Sequence, residues 1–289
     1  MSSTSRRVFL GQAAALPFAS SLIAREALGA RNLGVQLYTV RNVIGKDPLK
    51  MLEAIQQIGY TEVEAVYESL PKIGPALKQT TLKPASVHVD EAIFIKGGSG
   101  LDAALSDVKQ HGFEYVVVPY VPVQHRGGAE MFKRLADTLN TSGQKAQANG
   151  LKLCYHNHAF ELKPIEGKTG LEMLMSETDT RLVSLELDVF WAAIAGHDPV
   201  ELLRAYSGRV PLLHLKDKAK SFTKVQYNEE VPHDTFKEDG NGSIDFPVVL
   251  KAADAAGAQH YFVEKDYTAG DPIKSLQQSF AYLSKRFAS

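Results

Sequence analysis

The chain has 289 residues, 44% of them hydrophobic, with a net charge of −1 at pH 7 and a pI near 6.8. That is enough apolar residue for one large core or at most two ordinary domains, and so even a charge balance argues against a polyanionic partner such as nucleic acid. A single cysteine excludes an intramolecular disulfide framework and a cysteine-based zinc module. Past residue 30 no apolar run approaches the ~18 residues of a membrane-spanning helix.

The first segment, residues 1–30, reads as a targeting sequence. In "SRRVFLGQAAALPFASSLIAREALGA" the pair Arg6 and Arg7 precedes a modest apolar stretch and a small-residue end. This layout resembles a twin-arginine export signal and implies a periplasmic mature protein, residues 31–289, after cleavage near Ala30. The segment carries +2 (Arg6, Arg7 and Arg25 against Glu26), so the mature charge becomes −3.

From residue 31 onward, short apolar runs alternate with longer amphipathic ones. "LGVQLYT" (33–39) predicts a first strand ending in Gln36 and Tyr38, and "DPLKMLEAIQQIGY" (47–60) a helix capped by Asp47 and stopped by Gly59. "TEVEAVY" (61–67) brings Glu64, "PASVHVD" (84–90) brings His88 and Asp90, and "YVVVPYV" (115–121) is a fourth strand. A long helical pattern, "AEMFKRLADTLNTSGQKAQANG" (129–150), leads to "LKLCYHNH" (151–158), where Cys154, His156 and His158 alternate onto one face. "LVSLELDVF" (182–190) carries Glu186 and Asp188, and "DPVELLRAYSG" (198–208) is the next helix. "VPLLHLKD" (210–217) carries His214, Lys216 and Asp217, "DFPVVLKAADAAG" (245–257) is again helical, and "QHYFVEKD" (259–266) ends in Glu264 and Asp266.

Eight strands, each followed by a helical run, in about 255 residues predict a single (β/α)8 barrel. An open doubly wound sheet would use fewer strands and a phosphate loop, and neither GxGxxG after the first strand nor GxxxxGK[ST] occurs. In such barrels the strand ends at the C-terminal face carry the chemistry. Polar residues recur at those ends, and so many buried ionisable groups call for a counter-ion. Asp188, His214 and Glu264, from three successive strands, form the strongest triplet for one divalent metal. Mixed nitrogen and oxygen ligation suits Mn²⁺, Co²⁺, Fe²⁺ or Zn²⁺ better than Ca²⁺.

The stretches "LELDVFWAAIAGHDPVELLRAYSGRVPLLHLKD" (from Leu185), "EDGNGSIDFPVVLKAADAAG" (from Glu238), "YFVEKD" (from Tyr261) and the opening "LGVQLYTVR" resemble the xylose isomerase-like sugar phosphate isomerase/epimerase superfamily. The similarity spans the whole mature chain, and the Asp…His-x-Lys-Asp…Glu pattern is its most specific part. It implies a barrel with one divalent metal held by Glu, Asp, His and Glu, in which Asp188, His214 and Glu264 are ligands. Many members supply a further ligand Glu two residues before a proton-transferring His; here Cys154 stands at that position. Three outcomes stay open: Glu161 reaches the ion, His156 takes the place, or the site is weakened or lost.

A metal flanked by carboxylates and imidazoles suits proton abstraction next to a carbonyl. His156 is the first choice for the base, Glu161 a ligand or second acid/base, and Lys216 a donor to a substrate oxygen. His88, His158, Trp191, Glu64 and Tyr38 are expected to contact substrate. The stretch 218–244 is too long for a plain connector and comes after the seventh strand, so it is expected to cover the site, with His233 within it. Gly240 and Gly242 read as turn chemistry. No arginine cluster demands a phosphorylated substrate, so a free sugar or keto-sugar is expected. An isomerase or epimerase leads, with a lyase or dehydratase of a 3-keto-glycoside or inosose-like ketone as alternative and a non-catalytic sugar-binding barrel as the third reading. A nuclease is disfavoured by the charge and a shortage of further His and Glu ligands. A homo-oligomer stays open.

Overall fold

The eight strands close into a barrel in sequential order, all parallel: β1 Asn32–Gln36, β2 Glu62–Val66, β3 Lys83–His88, β4 Tyr115–Val118, β5 Lys152–His156, β6 Val183–Asp188, β7 Leu212–Leu215 and β8 His260–Val263, which pairs back onto β1. This computed structural model describes residues 32–287; the export signal expected at 1–30 lies outside them. Among the described residues no helix is long and apolar enough to cross a membrane.

Each strand stops short of the apolar run that signalled it. At β1 the ladder ends at Gln36, whose side chain accepts the Tyr38 N–H and turns the chain into a short 3₁₀ helix. At β7 it ends at Leu215, one residue before Lys216. Gln36, His88, His156 and Asp188 thus stand at the last ladder position of their strands, and His214, Lys216 and Glu264 within a residue of it.

Register sets which tips are level. Gln36 pairs Glu64, Glu64 pairs Ser86, His156 pairs Glu186 and Asp188 pairs His214. The interior below them is apolar, filled by Ala85, Tyr115, Val117, Cys154, Leu212 and Phe262. The main core lies between strands and helices, where outward residues such as Val35, Val63, Leu153 and Leu187 meet the helical layer. Two-residue alternation therefore splits every strand between a polar-topped inner column and an apolar outer one.

The expected Asp47 cap is present, and Asp198 and Asp245 act in the same way: the three accept the amides of Lys50, Val200 and Val248 at the starts of helices Pro48–Ile58, Pro199–Ala205 and Phe246–Ala256. Each such cap contributes about 1 kcal/mol. Gly59 ends the first of these helices at φ 120°, and a Cβ there would lie 2.5 Å from the Phe280 ring. Glycine is the residue that fits.

After β7 the chain makes a two-residue pairing, Asp217–Lys218 with Phe236–Lys237. Asp217 anchors the glycine turn at 240–242: its carboxylate accepts the amides of Gly240 (2.9 Å) and Gly242 (2.7 Å) as well as those of Lys218 and Ile244. A Cβ on Gly242 would sit 2.2 Å from Asp217 Oδ1. The glycine pair is turn chemistry, as its spacing predicts.

Candidate active site

The barrel mouth holds a buried network built on His214. Its Nε2 lies 2.6 Å from Glu64 Oε1 and 3.5 Å from Glu186 Oε2, while its Nδ1 lies 2.8 Å from Glu264 Oε2 and 3.9 Å from Asp188 Oδ2. One imidazole from β7 thus touches carboxylates from β2, β6 and the end of β8. His88 Nε2 is 3.0 Å from Glu64 and 2.9 Å from Glu186, and His156 Nδ1 is 3.1 Å from Glu186. Two groups of convergent donors result: His88, His156, Glu186 and His214, and Asp188, His214 and Glu264, with ligand atoms in each group within 4.8 Å of one another.

Lys216 lies on the pocket side of this network. Its ammonium is 2.7 Å from Glu264, 2.9 Å from Asp188 and 2.9 Å from Asp266. Burial disfavours its charge, but these three carboxylates hold its pKa well above the ordinary lysine value. Burial likewise opposes ionisation of Glu264, and Lys216 and His214 together pull its pKa down. Asp188 is raised by burial, and Asp266 is pushed up by burial to about 6. Asp188 Oδ1 caps the next helix through the Trp191 amide at 2.9 Å, while Oδ2 faces the Lys216 ammonium.

The imidazoles differ in charge. Burial works against the charged form of His88, yet Glu64 and Glu186 raise its pKa to about 9. His156 goes the other way: burial, reinforced by His214, His158, His88 and Lys216, holds it well below its ordinary value. A neutral imidazole beside charged neighbours is available to take a proton.

Above the network lies a cavity of about 550 Å³ whose floor includes His88, His156, Lys216 and Glu264. Trp191, Tyr120 and Phe236 supply apolar wall, and Tyr38 stands at the rim with the Arg41 guanidinium 3.8 Å over its ring. The long connection after β7 reaches over this cavity, contributing Glu229, Val231 and His233 to its lining. Several contacts hold it: Glu229 pairs with Arg126 from the β4 side at 3.0 Å, the Gln226 amide donates to the Ile194 carbonyl, and Glu238 accepts from Lys265 and Ser275. His233 stacks on Tyr267 at 3.8 Å.

The predicted residues fall into three places. Asp188, His214 and Glu264 converge, with His156 Nε2 3.7 Å from Asp188. His88, His158, Trp191, Tyr38 and Lys216 line the cavity. Glu64 and Glu161 do neither. Glu64 is sealed below the floor, gripped by Gln36, Ser86, His88 and His214, so its carboxylate does not face the cavity. Glu161 sits on the outer side of β5, where the Tyr155 hydroxyl donates to one oxygen (2.7 Å) and the His158 amide to the other (2.8 Å). The alternation that turns His156 inward turns Tyr155 outward, and Glu161 goes with Tyr155. Cys154 is fully buried in the apolar plug. Of the two expected replacements for the fifth-strand glutamate, His156 is the one at the cluster.

Glu186 is the residue to which sequence reasoning gave no role, although its i, i+2 spacing to Asp188 puts both on the inner face of β6. Buried His and Glu ligands are also more numerous than the sequence reading counted against a richer metal site.

A profile of the xylose isomerase-like TIM barrel family matches residues 86–286. An inosose dehydratase of Clostridium perfringens is 30% identical over 166 residues, 54% of this chain and 55% of that protein. The chain spans about half the length of the curated relatives it matches. Among solved structures, a sugar phosphate isomerase/epimerase from Parabacteroides distasonis superposes with a TM-score of 0.73 at 22% identity, covering 89% of this chain and 94% of that one. The IolI protein with a bound zinc atom gives a TM-score of 0.68 at 17% identity, covering 89% and 98%. The family profile covers well over half of a chain folded as an eight-stranded parallel barrel, and the protein belongs to the xylose isomerase-like TIM barrel family.

Proposed function

We propose that this protein is a divalent-metal-dependent enzyme that abstracts a proton next to the carbonyl of a sugar or keto-sugar, as an isomerase or epimerase. The observation that carries the reading is a neutral, buried His156 at the floor of the cavity, with its Nδ1 3.1 Å from the Glu186 carboxylate. Glu186 takes the Nδ1–H, which leaves the Nε2 lone pair as the base and stabilises the imidazolium once the proton has moved.

Asp188, His214 and Glu264 fit a divalent cation: their donor atoms converge and all are buried, with the Lys216 ammonium 2.9 Å from Asp188 Oδ2 and 2.7 Å from Glu264 Oε2 as the positive charge now beside the two carboxylates. Manganese, cobalt, iron or zinc suits that mixture, and zinc is what the IolI structure holds. When bound, the cation would polarise a carbonyl oxygen and stabilise negative charge developing there. Lys216 donates to a second substrate oxygen. Asp266, with its pKa near 6, and Lys216 are the groups placed to return a proton, and Trp191 and Tyr120 offer apolar surface to a sugar ring. Acidic side chains outnumber basic ones around the cavity, which favours a neutral substrate over a phosphorylated one.

A dehydratase acting on an inosose-like ketone has equal support, because curated relatives such as the one from Clostridium perfringens are named inosose dehydratases. It shares the first proton transfer and differs in expelling a β-hydroxyl. Replacing His156 with alanine is expected to lower solvent-deuterium exchange into substrate by about 10²–10⁴-fold while metal content is retained. Undiminished exchange rules out His156 as the base. Product analysis separates isomerisation from dehydration. A wild-type protein that binds sugars without any exchange would be the non-catalytic barrel.

We also propose that residues 1–30 are removed on export to the periplasm, on the strength of the Arg6–Arg7 pair ahead of an apolar stretch. Mass spectrometry of protein recovered from native periplasm is expected to show an N-terminus near residue 31; an intact Met1 in that fraction refutes it.

A further inference from the structure

We propose that the barrel carries a second divalent-cation site, one layer beneath the cavity, built from Glu64, His88, Glu186 and His214. It goes beyond the reading above: it uses neither Asp188 nor Glu264 and shares only His214 with that triplet, through Nε2 where the outer carboxylates face Nδ1.

The four donors form a closed ring in which nitrogen and oxygen alternate. His88 Nε2 lies 3.0 Å from Glu64 Oε1, which lies 2.6 Å from His214 Nε2; that nitrogen is 3.5 Å from Glu186 Oε2, which returns to His88 Nε2 at 2.9 Å. Metal–ligand bonds of about 2.0–2.2 Å put neighbouring donors about 2.8–3.6 Å apart, between right-angle and tetrahedral geometry. Three sides of the ring match that spacing and the fourth is slightly short. The two imidazole planes are nearly parallel, 12° apart with centroids at 5.5 Å, and both present Nε2 to the ring.

Glu64, Glu186 and His214 are fully buried and His88 is 8% exposed. Glu186 Oε1 has no hydrogen-bond partner among the described residues, an expensive arrangement for a buried carboxylate without a cation beside it. The partners behind the donors are those that hold metal ligands in place. His214 Nδ1 is 2.8 Å from Glu264, Gln36 donates to Glu64 Oε1 at 2.7 Å, and the Ser86 hydroxyl donates to Glu64 Oε2. His156 reaches Glu186 through Nδ1 and remains its hydrogen-bond donor rather than a ligand. Two imidazoles and two carboxylates suit Zn²⁺, Co²⁺, Mn²⁺ or Fe²⁺ rather than Ca²⁺. The alternative occupants are two protons, one on each Nε2, each shared between two carboxylate oxygens. Entry is from the cavity, whose floor His88 and His156 form.

The test is a full-length D188N/E264Q variant loaded with Co²⁺ and desalted. About one cobalt per chain by elemental analysis, with the visible absorption of coordinated Co²⁺, is expected. Adding E186Q should remove both signals with the circular dichroism unchanged; where that variant does not fold, H88Q replaces it with the same expectation. No cobalt in D188N/E264Q, or cobalt kept after E186Q or H88Q, overturns the site. The outer site is judged separately: if D188N/E264Q holds as much metal as wild type, that assignment fails and this one stands.

Discussion

Replacing Lys216 with methionine is expected to cost the metal-free protein about 3–5 kcal/mol, the usual penalty for stranding buried charge. The Lys216 ammonium lies within 3 Å of Asp188, Glu264 and Asp266, and the lysine and the first two are almost wholly buried. Methionine keeps the volume and removes the charge. The deficit should shrink at low pH, where the stranded carboxylates protonate, and should be largely recovered by Mn²⁺ or Zn²⁺, because a divalent ion can replace the ammonium between Asp188 and Glu264. Thermal unfolding in chelator and in added metal measures both effects. A small loss indifferent to metal would show that Lys216 is not the counter-ion of this cluster.

Glu161→Gln should remove the Glu161 contribution to the pH dependence of stability between about pH 4.5 and 8, leaving that of the other buried groups in place. Burial is the main cause of the raised Glu161 pKa, about 8 against 4.5, opposed in part by the Tyr155 hydroxyl. Within that window the unfolded chain has lost the proton and the folded chain retains it. The unfolded state therefore binds fewer protons, and stability falls as pH rises, levelling off above pH 8. The shift corresponds to a ceiling of roughly 5 kcal/mol. Glutamine can still accept the His158 amide and meet the Tyr155 oxygen with its own N–H. Urea unfolding of both proteins at pH 5 and pH 8 measures the difference; parallel pH profiles would mean Glu161 is ionised in the folded state.

Much of the fold is legible in the linear chain. Each of the eight apolar runs marks a barrel strand to within two residues at its start, and Asp47, Asp198 and Asp245 cap the helices they precede, because strand periodicity and capping are local effects. The convergence of Asp188, His214 and Glu264 is also legible, since consecutive strands of a barrel are neighbours in space. Glu64 and Glu161 show where locality ends. Each is an acidic residue close to a strand tip, yet one is pulled beneath the floor by two imidazoles and the other is held behind β5 by Tyr155. Neither depth nor side is written in spacing along one strand.

By itself the sequence determined the barrel, the strand order and the inward faces, because alternation and chain order leave few ways to bury eight apolar runs. Tertiary structure decided how the charges share one another: that His214 serves two sets of carboxylates, that Lys216 bridges Asp188 and Glu264, and that Glu186 joins His88 and His156. Those partnerships join residues up to 150 positions apart. Their strength depends on ångström-scale separation and on exclusion of water, which exist once the barrel has closed.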